Sequence, residues 1–109
     1  MLPDRDRAYV DRSKITDYLL SLSHTDGHTK AAFFMRFGFR GERWEELADA
    51  LRLVGISNPV IASAQSPHGV RYTVDGLLQA PDGRTPRVRT VWIVIPGSRG
   101  PRLITAHPM

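Results

Sequence analysis

The sequence has 109 residues, of which 41% are apolar and 24% charged, as in one ordinary globular domain rather than a disordered chain. It contains no cysteine, which excludes disulfides, thiolate metal ligands and a cysteine nucleophile. No apolar run approaches the ~20 residues of a membrane span, and the charged start lacks the apolar block of a signal peptide, so we expect a cytoplasmic protein without membrane contact.

The net charge of +4 lies entirely in the second half of the chain. Residues 1–54 carry nine basic and nine acidic side chains, whereas residues 55–109 carry six arginines against Asp75 and Asp82. Arginine presents a planar fork of donors that suits phosphate and carboxylate, so an anionic partner is one interpretation. A GC-rich genome also raises the arginine content, and these side chains are then ordinary solvated surface.

The first half of the chain predicts an arm followed by helices. Residues 1–12 are mostly charged and predict a flexible N-terminal arm ahead of a single domain over residues 13–109. Ser13 is a suitable cap for a first helix, whose apolar side chains recur at the 3.6-residue period: Ile15, Tyr18, Leu19 and Leu22.

Two further helices follow. The second is predicted to begin after Thr25 or Asp26 and to stop at Gly38. The third begins at Gly41 and ends at Gly55, and its core-facing side is one apolar stripe: Trp44, Leu47, Ala48 and Leu51.

From residue 57 the apolar period changes to two, which predicts four strands: Val60–Ala64, Gly69–Leu78, Arg87–Ile95 and Arg102–Ala106. Short breaks rich in glycine and proline separate them, so we expect an antiparallel meander. A chain in which helices come first and strands follow has the α+β pattern. The predicted fold is three N-terminal helices packed on one face of a four-stranded antiparallel sheet.

The other face of such a sheet is available to a ligand. In the third predicted strand, one set of alternating side chains contains Thr90 and Trp92, and the other contains Arg87 and Arg89. Strict alternation in the last strand separates two sets of three: Arg102, Ile104 and Ala106 from Leu103, Thr105 and His107. The pattern alone does not say which sets meet the helices.

Lys30 has an unusual position for a lysine. It shares a helical stripe with Phe34 and Phe37, so it either extends to solvent along the aromatic surface or lies at the rim of a site. It also falls in the first turns of its helix, where backbone N–H groups favour anions.

The histidines offer proton transfer more readily than metal binding. His24 and His28 are four residues apart, a spacing that two metal ligands on one helix face share. A helix start between them and the lack of a clear third ligand argue against a metal site. We therefore predict no metal and no cofactor.

Cleavage of RNA without a metal needs a base for the ribose 2′-hydroxyl, an acid for the leaving oxygen and cations for the phosphorane. Four side chains are candidates for proton transfer: His24, His28, His107 and Tyr72. Candidates for phosphate binding are Lys30, Arg89 and Arg102, with hydroxyls from Thr90 and Thr105. Phosphate-binding glycine-rich loops and the G-x-S-x-G motif of serine hydrolases are absent.

Several motifs together resemble a bacterial family of domains of unknown function. They are Lys30–Phe34 followed by Gly38-Phe39, then Gly69–Tyr72, Pro81–Arg84, Val88–Trp92 and the ending Pro101–Pro108. The family is similar in layout to the barnase/EndoU/colicin/RelE-like nuclease superfold. Its members resemble toxin modules, which occur in small toxin–antitoxin operons or at the ends of larger secreted toxins.

The resemblance implies a set of site residues. Lys30 matches the helix lysine of the family, Arg89 and Thr90 its third-strand motif, and Arg102 and Thr105 its last strand. The predicted catalytic residues are Lys30, His24, Arg89, Thr105 and His107, and the predicted phosphate- or RNA-binding residues are Arg102, Thr90, Arg71 and Arg87. RNA and an acidic antitoxin or immunity protein are the expected partners, and a second copy of the chain is a further candidate.

Three hypotheses follow. The first is a toxin-like, metal-independent endoribonuclease. The second is a non-catalytic module that binds RNA or a protein with the same basic sheet face, and whose binding weakens with salt. The third is a structural domain with an ordinary arginine-rich surface.

Overall fold

Four antiparallel strands form the second half of the fold, as the sequence predicts. In a computed structural model that describes residues 1–109, the strands are β1 (Val60–Ser66), β2 (Gly69–Leu77), β3 (Arg87–Val94) and β4 (Arg102–Pro108). Each strand pairs with the next one along the chain, in the order β1-β2-β3-β4. The α+β class and the antiparallel sheet are confirmed.

The helical half matches the prediction less closely. Its helices are α1 (Arg12–Lys14), α2 (His28–Arg36) and α3 (Trp44–Ser57), with 3₁₀ turns at Arg5–Arg7 and Gly41–Arg43. The first helix is a single α turn that continues as a π-helical turn over Ile15–Leu19. None of the helices is long and apolar enough to cross a bilayer.

The π-helical turn changes which side chains of the first helix reach the core. The Leu20 N–H donates to the Ile15 carbonyl at 2.7 Å, and Ile15, Leu19 and Leu20 are all buried. Leu22, which the regular 3.6-residue period places on the apolar stripe, is instead 62% exposed. The wider turn has ended the α-helical period before that residue.

Gly55 marks a helix–sheet contact and not the end of a helix. The helix α3 continues past it to Ser57. A Cβ atom at Gly55 would lie 2.4 Å from Cζ2 of Trp92, which is fully buried on β3. Glycine is needed here because α3 and the indole ring approach too closely for any side chain.

The N-terminal segment packs on the domain, in contrast to the predicted flexible arm. Leu2 and Ala8 are buried in the core, at 3% and 4% exposure. Tyr9 forms a parallel bridge with β4, since its N–H donates to the Pro101 carbonyl and its carbonyl accepts from Leu103. The segment thus covers part of the outer edge of β4.

The sheet has one face toward the helices and one away from them, which we name the open face. Because Trp92 packs against α3, the buried side chains Val88 and Thr90 also face the helices. The alternate side chains of β3 belong to the open face: Arg87, Arg89, Val91 and Ile93.

A β-bulge in β4 brings three polar side chains to the open face. Val91 pairs with Thr105 while Trp92 pairs with Leu103, so one extra residue, Ile104, interrupts the alternation. Leu103 and Ala106 are therefore both buried against the helices. The predicted strict alternation in this strand is wrong, and the open-face set is Arg102, Thr105 and His107.

Candidate active site on the open face

A row of three side chains crosses the open face. Asp75 on β2 lies opposite Arg89 on β3, which in turn lies opposite His107 on β4. Facing side chains of this kind have Cβ atoms about 5 Å apart. Arg89 donates from Nε and Nη2 to the two carboxylate oxygens of Asp75, at 2.9 and 3.0 Å. The two bonds fix the guanidinium group between the carboxylate and the imidazole.

This row sets the protonation of its members. The hydrogen bonds from Arg89 lower the pKa of Asp75 below its ordinary value, so the carboxylate is ionised. Burial, followed by the charges of Lys30 and Arg89, lowers the pKa of His107 below 6.5, against a weaker opposing effect of Asp75. His107 is therefore mainly neutral at pH 7 and able to accept a proton.

Tyr18 reaches the same part of the sheet from the π-helical turn. Its hydroxyl lies 3.2 Å from Oγ1 of Thr105, with which it shares a hydrogen bond. Nζ of Lys30 lies 5.4 Å from the centroid of the Tyr18 ring, and Nζ of Lys14 lies 5.2 Å from it. Thr105 and His107 are two residues apart on the same face, a separation of about 7 Å along a strand. Tyr18 and Lys30 thus adjoin the end of the row.

The two lysines perturb the tyrosine. Burial alone raises the pKa of Tyr18, but the hydrogen bond with Thr105 and the positive charges of Lys30 and Lys14 together outweigh burial. The net effect is a pKa below the ordinary tyrosine value. A phenol with a lowered pKa gives up its proton more readily than a free tyrosine does.

His24 orders the loop beside this cluster. Its Nδ1 accepts hydrogen bonds from the backbone N–H groups of Asp26 and Gly27, at 2.9 and 3.0 Å. The ring packs edge-on against Tyr18, with 4.9 Å between ring centroids. Because Nδ1 is an acceptor, the neutral ring carries its proton on Nε2. His24 thus contacts the tyrosine of the cluster and supports the start of α2.

Thr90 lies outside the site, on the face toward the helices. Its hydroxyl is fully buried, donates to the Val74 carbonyl at 2.7 Å and accepts from Nε1 of Trp92 at 2.8 Å. The predicted role of Thr90 as a phosphate ligand is wrong, because the phosphate would have to enter the core. Tyr72 pairs with Trp92 and faces the same way.

His28 also lies apart from the row. It is exposed, and its Nδ1 is bonded to the backbone carbonyls of His24 and Thr25, at 3.1 and 2.9 Å. No three His, Asp or Glu side chains of the chain lie close enough together to hold a metal ion.

The remaining predicted phosphate ligands share the open face but lie away from the row's centre. Arg87 is exposed at the end of β3. Arg71 and Arg102 lie on either side of Ile93, four residues along β3 from Arg89. Four of the predicted catalytic residues are thus brought together around the β3–β4 pair, namely Lys30, Arg89, Thr105 and His107, with His24 behind Tyr18.

Sequence reasoning missed two residues of the site. Tyr18 was assigned to an apolar stripe, yet its hydroxyl is the group that meets Thr105. Asp75 was counted only as a charge, although it is one of just two carboxylates in the second half of the chain. The available signal was that Asp75 is the only acidic residue of a predicted strand next to an arginine-rich strand. Opposite charges on neighbouring strands stabilise each other, so an ion pair with an arginine was to be expected.

The cluster combines a neutral imidazole, a tyrosine of lowered pKa, and two cations within one part of the open face. These are the parts that proton transfer at an anionic centre requires: an acceptor, a donor and positive charge to hold the anion.

Comparison with known proteins gives a fold and a family. No curated protein matches the sequence. A chain in the solved complex of a contact-dependent growth inhibition toxin and its immunity protein from Klebsiella pneumoniae 342 has the same fold, with a TM-score of 0.75, 22% sequence identity and 95% of each chain covered. The family model described as Domain of unknown function (DUF6883) matches residues 1–109. The chain therefore belongs to this family, as its motifs suggested.

Proposed function

We propose that the protein is a toxin-like endoribonuclease that works without a metal ion, with its active site in the cluster on the open face. The observation that carries the proposal is the convergence of Lys30, Arg89, Thr105 and His107 around one part of the sheet, completed by Tyr18. The fold shared with a chain of a toxin–immunity complex supports the toxin part. The positive charge of the chain supports an anionic substrate.

The reaction is an internal transesterification of RNA. The ribose 2′-oxygen attacks the neighbouring phosphorus while a base removes the 2′-hydroxyl proton. The bond from phosphorus to the 5′-oxygen of the next nucleotide breaks, and an acid supplies that oxygen with a proton. The products are a 2′,3′-cyclic phosphate and a free 5′-hydroxyl. The base gains one proton and the acid loses one, so the step balances, and proton exchange with water restores both groups afterwards.

His107 is the candidate base, because its lowered pKa keeps the imidazole neutral at pH 7. Tyr18 is the candidate acid, since its lowered pKa makes it a better proton donor than an unperturbed phenol. The separation of about 7 Å between neighbouring same-face positions on β4 leaves room for a phosphate between the imidazole and the Tyr18–Thr105 pair.

Lys30 and Arg89 supply the positive charge for the phosphorane. Both are close enough to His107 to lower its pKa, so both act on the same small volume. Arg89 is held in position by Asp75. The Thr105 hydroxyl, hydrogen-bonded to Tyr18, is the candidate group that holds the acid in position.

A toxin of this kind requires a neutralising partner in the cell that makes it. We infer an acidic immunity or antitoxin protein that covers the open face, because a negative surface complements the cations there. The complex of the structural neighbour is with an immunity protein, which supports a partner of this class.

Expression in bacteria from an inducible promoter tests the proposal. We expect wild-type protein to stop growth and degrade cellular RNA, and Lys30→Gln and His107→Gln to do neither. His28→Gln is the matched control, because it removes an exposed histidine from the first residue of α2, the helix that carries Lys30, without touching the row. A harmless wild type that leaves RNA intact would end the ribonuclease proposal, and RNA binding without cleavage would support a binding module instead.

A further inference from the structure

A second feature of the open face is a groove at the end of the sheet opposite to Arg87. Its volume is about 320 Å³, at the lower end of the range for small-molecule sites. Its lining consists of basic residues, a histidine and three isoleucines: Lys14, Arg71, Arg102, His68, Ile93, Ile95 and Ile104. None of the lining residues is acidic.

The cations of this groove are largely free of internal partners. Arg71 and Lys14 make no ion pair within the chain, and Arg71 is exposed on β2. Arg102 has one distant contact, 3.9 Å from its Nη1 to Oδ2 of Asp11. Arg89, by contrast, is engaged by both oxygens of Asp75. The groove therefore offers positive charge that the fold itself does not use.

The floor of the groove is apolar, and the bulge in β4 makes it so. Ile104, the extra residue of the bulge, lines the groove beside Ile93 and Ile95. An apolar floor of three isoleucines with guanidinium groups at its edge suits a nucleobase together with its phosphate, because the base packs on carbon and the arginine fork binds the anion.

The groove is continuous with the proposed active site but too far away to hold the same phosphate. Ile93, in the groove, is four residues from Arg89 along β3, which is about 13 Å. Lys14 connects the two regions, since it lines the groove and also lies 5.2 Å from the Tyr18 ring. An extended strand of nucleic acid that places one phosphate at His107 passes over the groove with a nucleotide that is close to this phosphate but not adjacent to it.

We propose that this groove is a second nucleotide subsite, which binds a phosphate and base of single-stranded RNA near the cleaved bond. The inference rests on the proposed action on RNA and makes the substrate class an oligonucleotide strand rather than a mononucleotide. A protein partner is the less favoured occupant, because a volume of about 320 Å³ is that of a small-molecule site, whereas a stable protein interface buries about 800 Å² on each partner.

The test measures binding separately from cleavage. The probe is a fluorescent single-stranded octanucleotide of mixed sequence with 2′-O-methyl groups, which block attack by the 2′-oxygen. We expect the double variant Arg71→Gln/Arg102→Gln to bind it at least about tenfold more weakly than wild type, with a smaller dependence of affinity on salt. Arg40→Gln/Arg43→Gln is the matched control, because it removes the same two charges from exposed positions just before α3, and it should bind as wild type does.

Two further arms separate the subsite from the ribonuclease proposal. Cleavage of a dinucleotide should be nearly equal for wild type and the double variant, whereas cleavage of an octanucleotide with free 2′-hydroxyls should fall for the variant. If wild type cleaves RNA and the double variant binds and cleaves as well as wild type does, the subsite proposal is overturned and the ribonuclease proposal stands. This is the result expected if the groove binds a protein. Loss of binding in the variant, with no cleavage by wild type, would support the groove as a binding site for single-stranded RNA and overturn the ribonuclease proposal.

Discussion

Replacement of Thr90 by valine tests which face of the sheet meets the substrate. The side chain has nearly the same shape, but the hydroxyl is lost. Thr90 is fully buried, and its hydroxyl is the partner of the Trp92 indole N–H at 2.8 Å and of the Val74 carbonyl at 2.7 Å. The substitution therefore removes two hydrogen bonds from the core and nothing from the open face.

The expected loss of stability follows from the indole N–H of Trp92, which is left without a hydrogen-bond acceptor. A buried N–H that loses its acceptor costs about 1–3 kcal/mol, and the indole N–H of Trp92 has no other acceptor. The free energy of unfolding should fall by that amount. For a domain of roughly this size, a change of ~1 kcal/mol moves the melting temperature by about 4–8 °C, so a decrease of ~5–20 °C is expected.

Thermal and urea unfolding followed by circular dichroism measure this loss, and RNA binding well below the melting temperature measures function. Thr73→Val is the control: it makes the same chemical change on the open face of β2, where the hydroxyl bonds to no other group of the chain. We expect Thr90→Val to melt early yet bind RNA normally, and Thr73→Val to keep its stability. Unchanged stability together with weakened RNA binding in Thr90→Val would refute the assignment of the two faces.

Four further outcomes follow from the structure. Gly55→Ala should lower the free energy of unfolding by about 1–2 kcal/mol, because crowding of the new Cβ against Trp92 outweighs the gain in helix propensity; a more stable variant in urea titration would contradict the close contact. The pKa of His107 lies below 6.5 in the folded protein, so the unfolded chain binds more protons than the folded protein does as the pH falls below 6.5. The free energy of unfolding therefore decreases toward acidic pH, and His107→Gln should reduce that decrease. Lys30→Gln should raise the pKa of His107, as measured by NMR titration of the His107 imidazole protons, because the nearby positive charge is lost; an unchanged His107 titration would contradict the proximity of the two side chains. Arg52→Gln should speed tryptic cleavage within residues 1–9, because the Arg52 guanidinium donates hydrogen bonds to the carbonyls of Asp6 and Ala8, at 2.8 and 2.7 Å. Equal cleavage rates would argue that other contacts hold the segment.

The strands were the most predictable part of the fold. Their positions follow from short breaks of glycine and proline between alternating apolar residues, and β2 and β3 each end within one residue of the prediction. These signals are local, so one sequence is enough to read them. The bulge at Ile104 was not predictable, because nothing within β4 distinguishes an extra residue from regular alternation.

Tertiary contacts account for the other differences. Leu2 and Ala8 are too few to predict packing of the N-terminal segment, but the free edge of β4 provides the backbone partners that hold it. Gly55 has the sequence signature of a helix end, and only the approach of Trp92 shows its real role.

The candidate site was predictable by residue type and not by arrangement. Lys30, Arg89, Thr105 and His107 were all named from the sequence, and they share one region of the structure. The row itself depends on strand register, which sets Asp75 opposite Arg89 and Arg89 opposite His107. Tyr18 enters only because the π-helical turn directs it toward Thr105.

The most direct test of the central claim is the chemistry of the RNA ends produced by purified protein in the presence of a chelator of divalent ions. Cleavage by attack of the 2′-oxygen predicts 2′,3′-cyclic phosphate and 5′-hydroxyl ends, which are lost in His107→Gln and in a substrate with a 2′-deoxy sugar at the cleavage position. Intact RNA after prolonged incubation with wild-type protein, or ends that carry a 5′-phosphate, would contradict the account.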